Sequence, residues 1–147
     1  MTQCSSGVVE SWLHQYGWAF RTMGENRWCT GWEGEERYYP LYLSLSDTWM
    51  TFRIQPFIKL NIDWESWPEI SAFLLELGDR TRMVRPAIDE DGNIVMTLEV
   101  FTKNLDYDQF SNALGVLGYY ADGLFDQILA FFDQIGFRYA GALNFLT

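Results

Sequence analysis

Apolar side chains recur at three- and four-residue spacing through Val9, Trp12, Leu13, Tyr16 and Phe20. That spacing lines one face of a helix and predicts α-structure from about Ser6 to Phe20, with Gly24 as its stop. A short strand is expected over Arg27 to Trp32, followed by an acid-rich turn from Gly31 to Glu36. The period then changes to two. If Asp47-Thr48 forms a two-residue turn, Leu45 faces Met50, Leu43 faces Phe52, and Leu41 faces Ile54. This register collects six apolar residues on one sheet face and leaves Tyr42, Ser44, Ser46, Trp49, Thr51 and Arg53 on the other. A slip of one residue would destroy the segregation, which is why the pattern predicts the register.

The helical period returns after Ser66-Trp67-Pro68-Glu69, where Ser66 and Glu69 have the spacing of a capping box. Proline is tolerated in the first turn because its missing N–H has no helical partner there. Ile70, Phe73, Leu74 and Leu77 form the buried stripe, and Gly78 is read as the end. A second strand pair follows, Thr81 to Ile88 and Ile94 to Phe101, joined by Asp89-Glu90-Asp91-Gly92. Pro86 points to an edge strand or a bulge. Asp106 with Gln109 caps a third helical segment through Phe110, Ala113, Leu114 and Leu117. It continues through Leu124, Ile128, Phe132 and Ile135 to Gly136. Gly115, Gly118 and Gly123 are expected to bend this segment or to allow close packing. The pattern is therefore α+β: helix, strands, helix, hairpin, helices, since the three glycines could also split the last segment.

The 147 residues are the size of one domain. Hydrophobic residues make up 48% and aromatics 18%, more rings than one modest core requires, so some are expected at a protein-binding surface. Ten basic against 20 acidic residues give a formal charge of −10. A nucleic-acid binder needs a positive surface to displace counterions, and an anionic membrane needs the same, so neither is the expected partner. The field instead favours a neutral or basic protein client. No eighteen-residue apolar run and no basic region followed by an apolar run are present, so neither a membrane span nor a secretory signal is read. Two cysteines, Cys4 and Cys29, are too few for a disulfide framework or a cysteine zinc site and fit a reducing cytoplasm.

Candidate chemistry is sparse. His14 is the one histidine, and the surrounding carboxylates have no ligand spacing, so no metal and no cofactor are expected. Asp89-Glu90-Asp91 resembles the start of a calcium loop but lacks the alternating ligands and the terminal Glu, leaving a solvated turn. No Gly-X-Ser-X-Gly elbow occurs. Gly115-Val116-Leu117-Gly118 lacks the Lys and preceding strand of a phosphate loop. No catalytic residue is assigned.

The centre of the chain carries a more specific pattern. It runs from Leu74-Leu75-Glu76-Leu77-Gly78 through Arg82-Met83-Val84, Ile88-Asp89-Glu90-Asp91-Gly92-Asn93-Ile94 and Leu98-Glu99-Val100-Phe101 to the helix from Asp106. This resembles the YbjN family, whose members are similar to class I type III secretion chaperones. The likeness spans roughly residues 6 to 135. It implies a single-domain type III secretion chaperone-like fold: helix, three strands, helix, two strands, C-terminal helix. The domain is expected over residues 1–136, with an apolar tail at 137–147 that packs on its own domain or on a dimer partner through Phe137, Tyr139, Leu143 and Phe145. The resemblance also implies a non-enzymatic, often dimeric, protein-binding role. The versions most similar to this chain are cyanobacterial, which suggests a client in a carboxysome or phycobilisome. The aromatic-rich region and the tail depart from the family pattern and are where the specific function is expected. Trp28, Trp32, Tyr42, Trp49 and Arg53 are the candidate partner-binding residues. The principal alternative is a small-ligand regulatory protein whose aromatics line a pocket. A hydrolase would need two close carboxylates that the sequence does not force together.

Overall fold

The computed structural model describes residues 4–60 and 65–138. Three helices, α1 (Ser6–Tyr16), α2 (Trp67–Arg80) and α3 (Tyr107–Ile135), accompany six strands. The strands are β1 (Arg21–Thr22), β2 (Arg27–Glu33), β3 (Tyr38–Leu45), β4 (Trp49–Ile58), β5 (Arg85–Ile88) and β6 (Ile94–Phe101). They form one antiparallel sheet in the order β1-β2-β3-β4-β6-β5. The expected α+β order is present, with the two-residue β1 added at one edge.

The β3–β4 hairpin has the predicted register, Leu41 opposite Ile54, Leu43 opposite Phe52 and Leu45 opposite Met50. The Asp47-Thr48 turn needs no glycine because Ser46 closes it. The Ser46 amide donates to the Trp49 carbonyl at 2.8 Å, and the Trp49 amide donates to Ser46 Oγ at 3.0 Å. Pro86 does lie on an edge strand, where its missing N–H disrupts no central ladder.

All three helices cover one sheet face. Trp12 of α1 packs on Phe110 of α3 at 5.3 Å between ring centroids, and Phe110 packs on Phe52 of β4 at 5.6 Å. Farther along, Phe125 of α3 meets Phe57 of β4 edge-on at 5.4 Å, and Phe73 of α2 stacks on Phe131 of α3 at 4.1 Å. One buried cluster thus joins every helix to the sheet.

Element ends differ from expectation where local backbone geometry overrides the apolar period. α1 stops at Tyr16, because Gly17 takes a left-handed conformation (φ 89°) and its amide bonds back to Leu13 and His14 carbonyls. Phe20 continues the apolar spacing but lies beyond the helix, as does Trp18, which stacks on Trp32. At α2, Ser66 has helical dihedrals and makes no side-chain cap bond, so the expected capping box is absent there. The helix also continues past Gly78 to Arg80. β5 starts at Arg85 rather than Thr81, since the chain turns tightly at Met83 (φ 67°), with the Val84 amide donating to the Arg82 carbonyl.

The Asp106–Gln109 capping box opens α3 as read. Gly115, Gly118 and Gly123 do not split the helix, and an added Cβ at any of them meets nothing within 4 Å. Among the described residues, no other element packs closely on these glycines. The helix ends at Gly136, also left-handed (φ 70°). Phe137 then turns back onto its own domain, 7% exposed and 5.0 Å from the Phe132 ring. Tyr139, Leu143 and Phe145 lie outside the described residues.

Candidate partner-binding face

Strand alternation sorts the candidate residues onto opposite faces. Trp28 pairs with Leu43 and Trp32 with Tyr39, which places both tryptophans on the helix-covered side. Trp28 is 1% exposed and lies within the core, so its ring is not offered to a partner. Trp32 is half-buried, packed between Trp18 and Tyr39 at 5.6 and 5.2 Å. Tyr42, Trp49 and Arg53 belong to the other side. There Arg53 lies opposite Tyr42 on β3 and Thr97 on β6.

On this second face no helix covers β2 to β4 among the described residues. Trp49 is 41% exposed and stacks on Phe101, 62% exposed, with centroids 4.6 Å apart and planes 21° from parallel. Tyr42 and Met23 are also exposed, as is Tyr38 at the far end of β3 on the same face. Burial and the nearby Cys29 and Glu33 push the Tyr38 phenol above its ordinary value, so it stays a neutral hydrogen-bonding group. Gly31 lies against the Tyr38 ring, and a Cβ there would come within 2.5 Å of the Tyr39 carbonyl. Toward β5 the same face closes, with Val95 and Thr97 buried.

Phe101, Tyr38 and Arg27 belong to this surface and were not singled out from the sequence. Alternation in β6 places Phe101 on the side of Thr97 and Glu99. Its meeting with Trp49, however, depends on the β4–β6 pairing, which joins residues far apart in the chain.

The second polar concentration has a structural use. The β2–β3 turn is tied to α3 through Asp122, which accepts from Tyr39 Oη at 2.6 Å and from the Glu35 amide at 3.1 Å. The buried Arg37 lies 3.5 Å over the Phe125 ring and 3.8 Å from Asp126. Burial first, and then the bond to Asp122, hold the Tyr39 phenol far above its usual range. Asp122 thus serves as a double acceptor that fixes the edge of the sheet. The Asp89 carboxylate is likewise engaged, accepting from Gln55 Nε2 and from the Asp91 and Asn93 amides. His14 is exposed and meets Phe20 edge-on. Among the described residues, no group of three or more His, Cys, Asp or Glu side chains is placed to hold a metal ion, and no helix is long and apolar enough to cross a membrane.

No protein-family model matches the chain, and no curated protein matches it in sequence. Solved structures match its fold. The crystal structure of YbjN from E. coli superposes with a TM-score of 0.60 at 11% identity, covering 92% of this chain and 97% of YbjN. The Yersinia pestis type III secretion chaperone SycH, solved in complex with a stable fragment of YscM2, gives a TM-score of 0.51 at 15% identity, covering 81% and 98%. The fold is thus that of YbjN and the type III secretion chaperones, as the pattern from Leu74 to Asp106 implied.

Proposed function

We propose that this chain is a non-enzymatic protein-binding module, an assembly chaperone or adaptor that holds a client segment on the sheet face bearing Tyr38, Tyr42, Trp49 and Phe101. The observation that carries the reading is the Trp49–Phe101 pair, two exposed rings stacked on each other on the sheet face that no described helix covers. Paired rings are anchors of the kind that dominate binding energy at protein interfaces. Holding them rigid on two strands lowers the entropy lost when a partner settles on them. A fold shared with a chaperone solved together with a protein fragment supports the same reading. The client class suggested by the family resemblance, a subunit of a large assembly such as a carboxysome or phycobilisome, is the first to test.

The test is affinity capture from native lysate with mass spectrometric identification, comparing wild type with Trp49→Ala. Trp49 is a surface residue, so the fold survives its truncation. One abundant protein retained by wild type and lost by Trp49→Ala is the expected result. A client captured equally by both would remove this face from the function.

A further inference from the structure

The exposed sheet face differs in charge from the molecule as a whole. Of only ten basic residues in a chain of net charge −10, four fall on this face. Arg21 pairs with Cys29, Cys29 with Tyr42, Tyr42 with Arg53, Arg53 with Thr97, and Thr97 with Arg85, so three arginines share one row across the sheet. Arg27 stands on the adjoining row, opposite Ser44, with Thr51 and Glu99 beyond. Arg85 is engaged by Glu99. Arg27 and Arg53 have no ion pair among the described residues. They line a common depression of about 340 Å³ whose lining also includes Met23, Trp28 and Leu43 beside Tyr42, Ser44, Thr51 and Gln55, and no carboxylate among the described residues lines it. Arg53 Nε is buried with no hydrogen-bond partner among the described residues.

A guanidinium with no carboxylate to pair with among the described residues of its own chain is matched by one from a partner, which fits its fork geometry. The hydroxyls and the amide in the depression can hydrogen-bond a second carboxylate oxygen, and Met23 and Leu43 can pack on the methylenes of an Asp or Glu side chain. Trp49 and Arg53 lie on the same face of β4, four residues apart, about 13 Å in an extended strand. A segment laid along β4 would therefore meet the aromatic pair at one point and the arginines about four residues away. The negative field of the rest of the chain disfavours a polyanion, so a single acid in a neutral or basic partner is what the surface selects.

Resting on the reading that this face binds a protein segment, we infer that the depression between Arg27 and Arg53 takes an Asp or Glu side chain of the client. The preferred client sequence is an extended run that pairs one acid with an aromatic or large apolar residue about four positions away.

Selection of random dodecapeptides displayed on phage tests this, with wild type, Arg27→Glu, Arg53→Glu and Trp49→Ala as targets. Wild type should enrich peptides carrying the acid–aromatic pair. A synthetic peptide of that kind should bind about ten- to a hundredfold more weakly to Arg27→Glu and Arg53→Glu, the loss of one charge-assisted contact. Replacing its acid by Lys should restore binding to the Arg→Glu variants. Arg27 is exposed, so its variant keeps the test valid should Arg53→Glu fail to fold. Peptides without acid enrichment, lost on Trp49→Ala but indifferent to both arginine variants, would overturn this inference and leave the binding face standing. Peptides indifferent to all three variants, or no selection on wild type, would overturn both. Binding of oligothymidylate that Arg53→Glu abolishes would also overturn it, replacing a peptide partner with nucleic acid.

Discussion

The bond between Tyr39 and Asp122 is expected to be a principal support of the β2–β3 turn against α3, and a double-mutant cycle reads its strength. Tyr39 is 1% exposed, and its hydroxyl donates to Asp122 at 2.6 Å, a length typical of a charge-assisted bond. Tyr39→Phe removes that donor but leaves Asp122, which is half-buried, with the Glu35 amide and access to water. The expected cost is about 1–1.5 kcal/mol. Asp122→Ala is more damaging, because it strands a buried phenol whose other polar neighbour, Arg37 Nη1, is itself a donor. That loss should cost about 2–3 kcal/mol. In the double variant the ring at position 39 carries no hydroxyl to strand, so the combined cost should not exceed that of Asp122→Ala alone, a coupling of about 1–2 kcal/mol. Urea unfolding followed by tryptophan fluorescence gives the numbers. With a denaturant slope of about 2 kcal/mol per molar, Asp122→Ala should lower the midpoint by about 1 M. Costs that simply add, or an Asp122→Ala variant as stable as wild type, would refute the bond's role.

Burial and Asp122 also raise the Tyr39 pKa in the folded state above its unfolded value of about 10. Its contribution is therefore fully present below pH ~10 and lost as pH rises toward the folded value. Wild type should lose stability on the alkaline side more steeply than Tyr39→Phe, measured as urea midpoints across pH, and parallel profiles would contradict the shift. Gly34→Ala places a Cβ 2.5 Å from Tyr39 Cε2 and 2.6 Å from Asp122 Oδ1, so its urea midpoint should fall, whereas an unchanged midpoint would show that the turn can yield. Gly115→Ala and Gly118→Ala meet open space in a continuous helix and should each raise stability by about 0.5–1 kcal/mol in the same assay; destabilisation would show that these glycines have a packing partner.

The sequence was most legible where one local period repeats. Leu41, Leu43 and Leu45 against Met50, Phe52 and Ile54 determine the hairpin register, because any slip exposes six apolar side chains at once. Asp106 and Gln109 likewise mark the start of α3 by a contact three residues long. Legibility fell where one period runs into another. The spacing of Phe20 from Tyr16 mimics another helical turn, yet Gly17 has already reversed the backbone, so Phe20 lies outside the helix. It failed where the answer depends on pairing between distant strands. Trp28 and Trp49 are equally aromatic in sequence. The β2–β3 register buries the first, while the β4–β6 register stacks the second on Phe101 in solvent. The segregation of Arg27 and Arg53 into one depression is hidden for the same reason, since the two residues meet only after three strands have assembled.

The client is expected to contact the Trp49–Phe101 face, and site-specific photocrosslinking reads that contact without a substitution that weakens it. A photoreactive benzoylphenylalanine is placed at position 101 and, in a second protein, at position 119, where Tyr119 is 81% exposed on α3. Irradiation in native lysate should yield one discrete crosslinked protein from position 101 and none from position 119. A discrete crosslink from position 119 with none from position 101 would contradict the account and move the function to the helical side of the molecule.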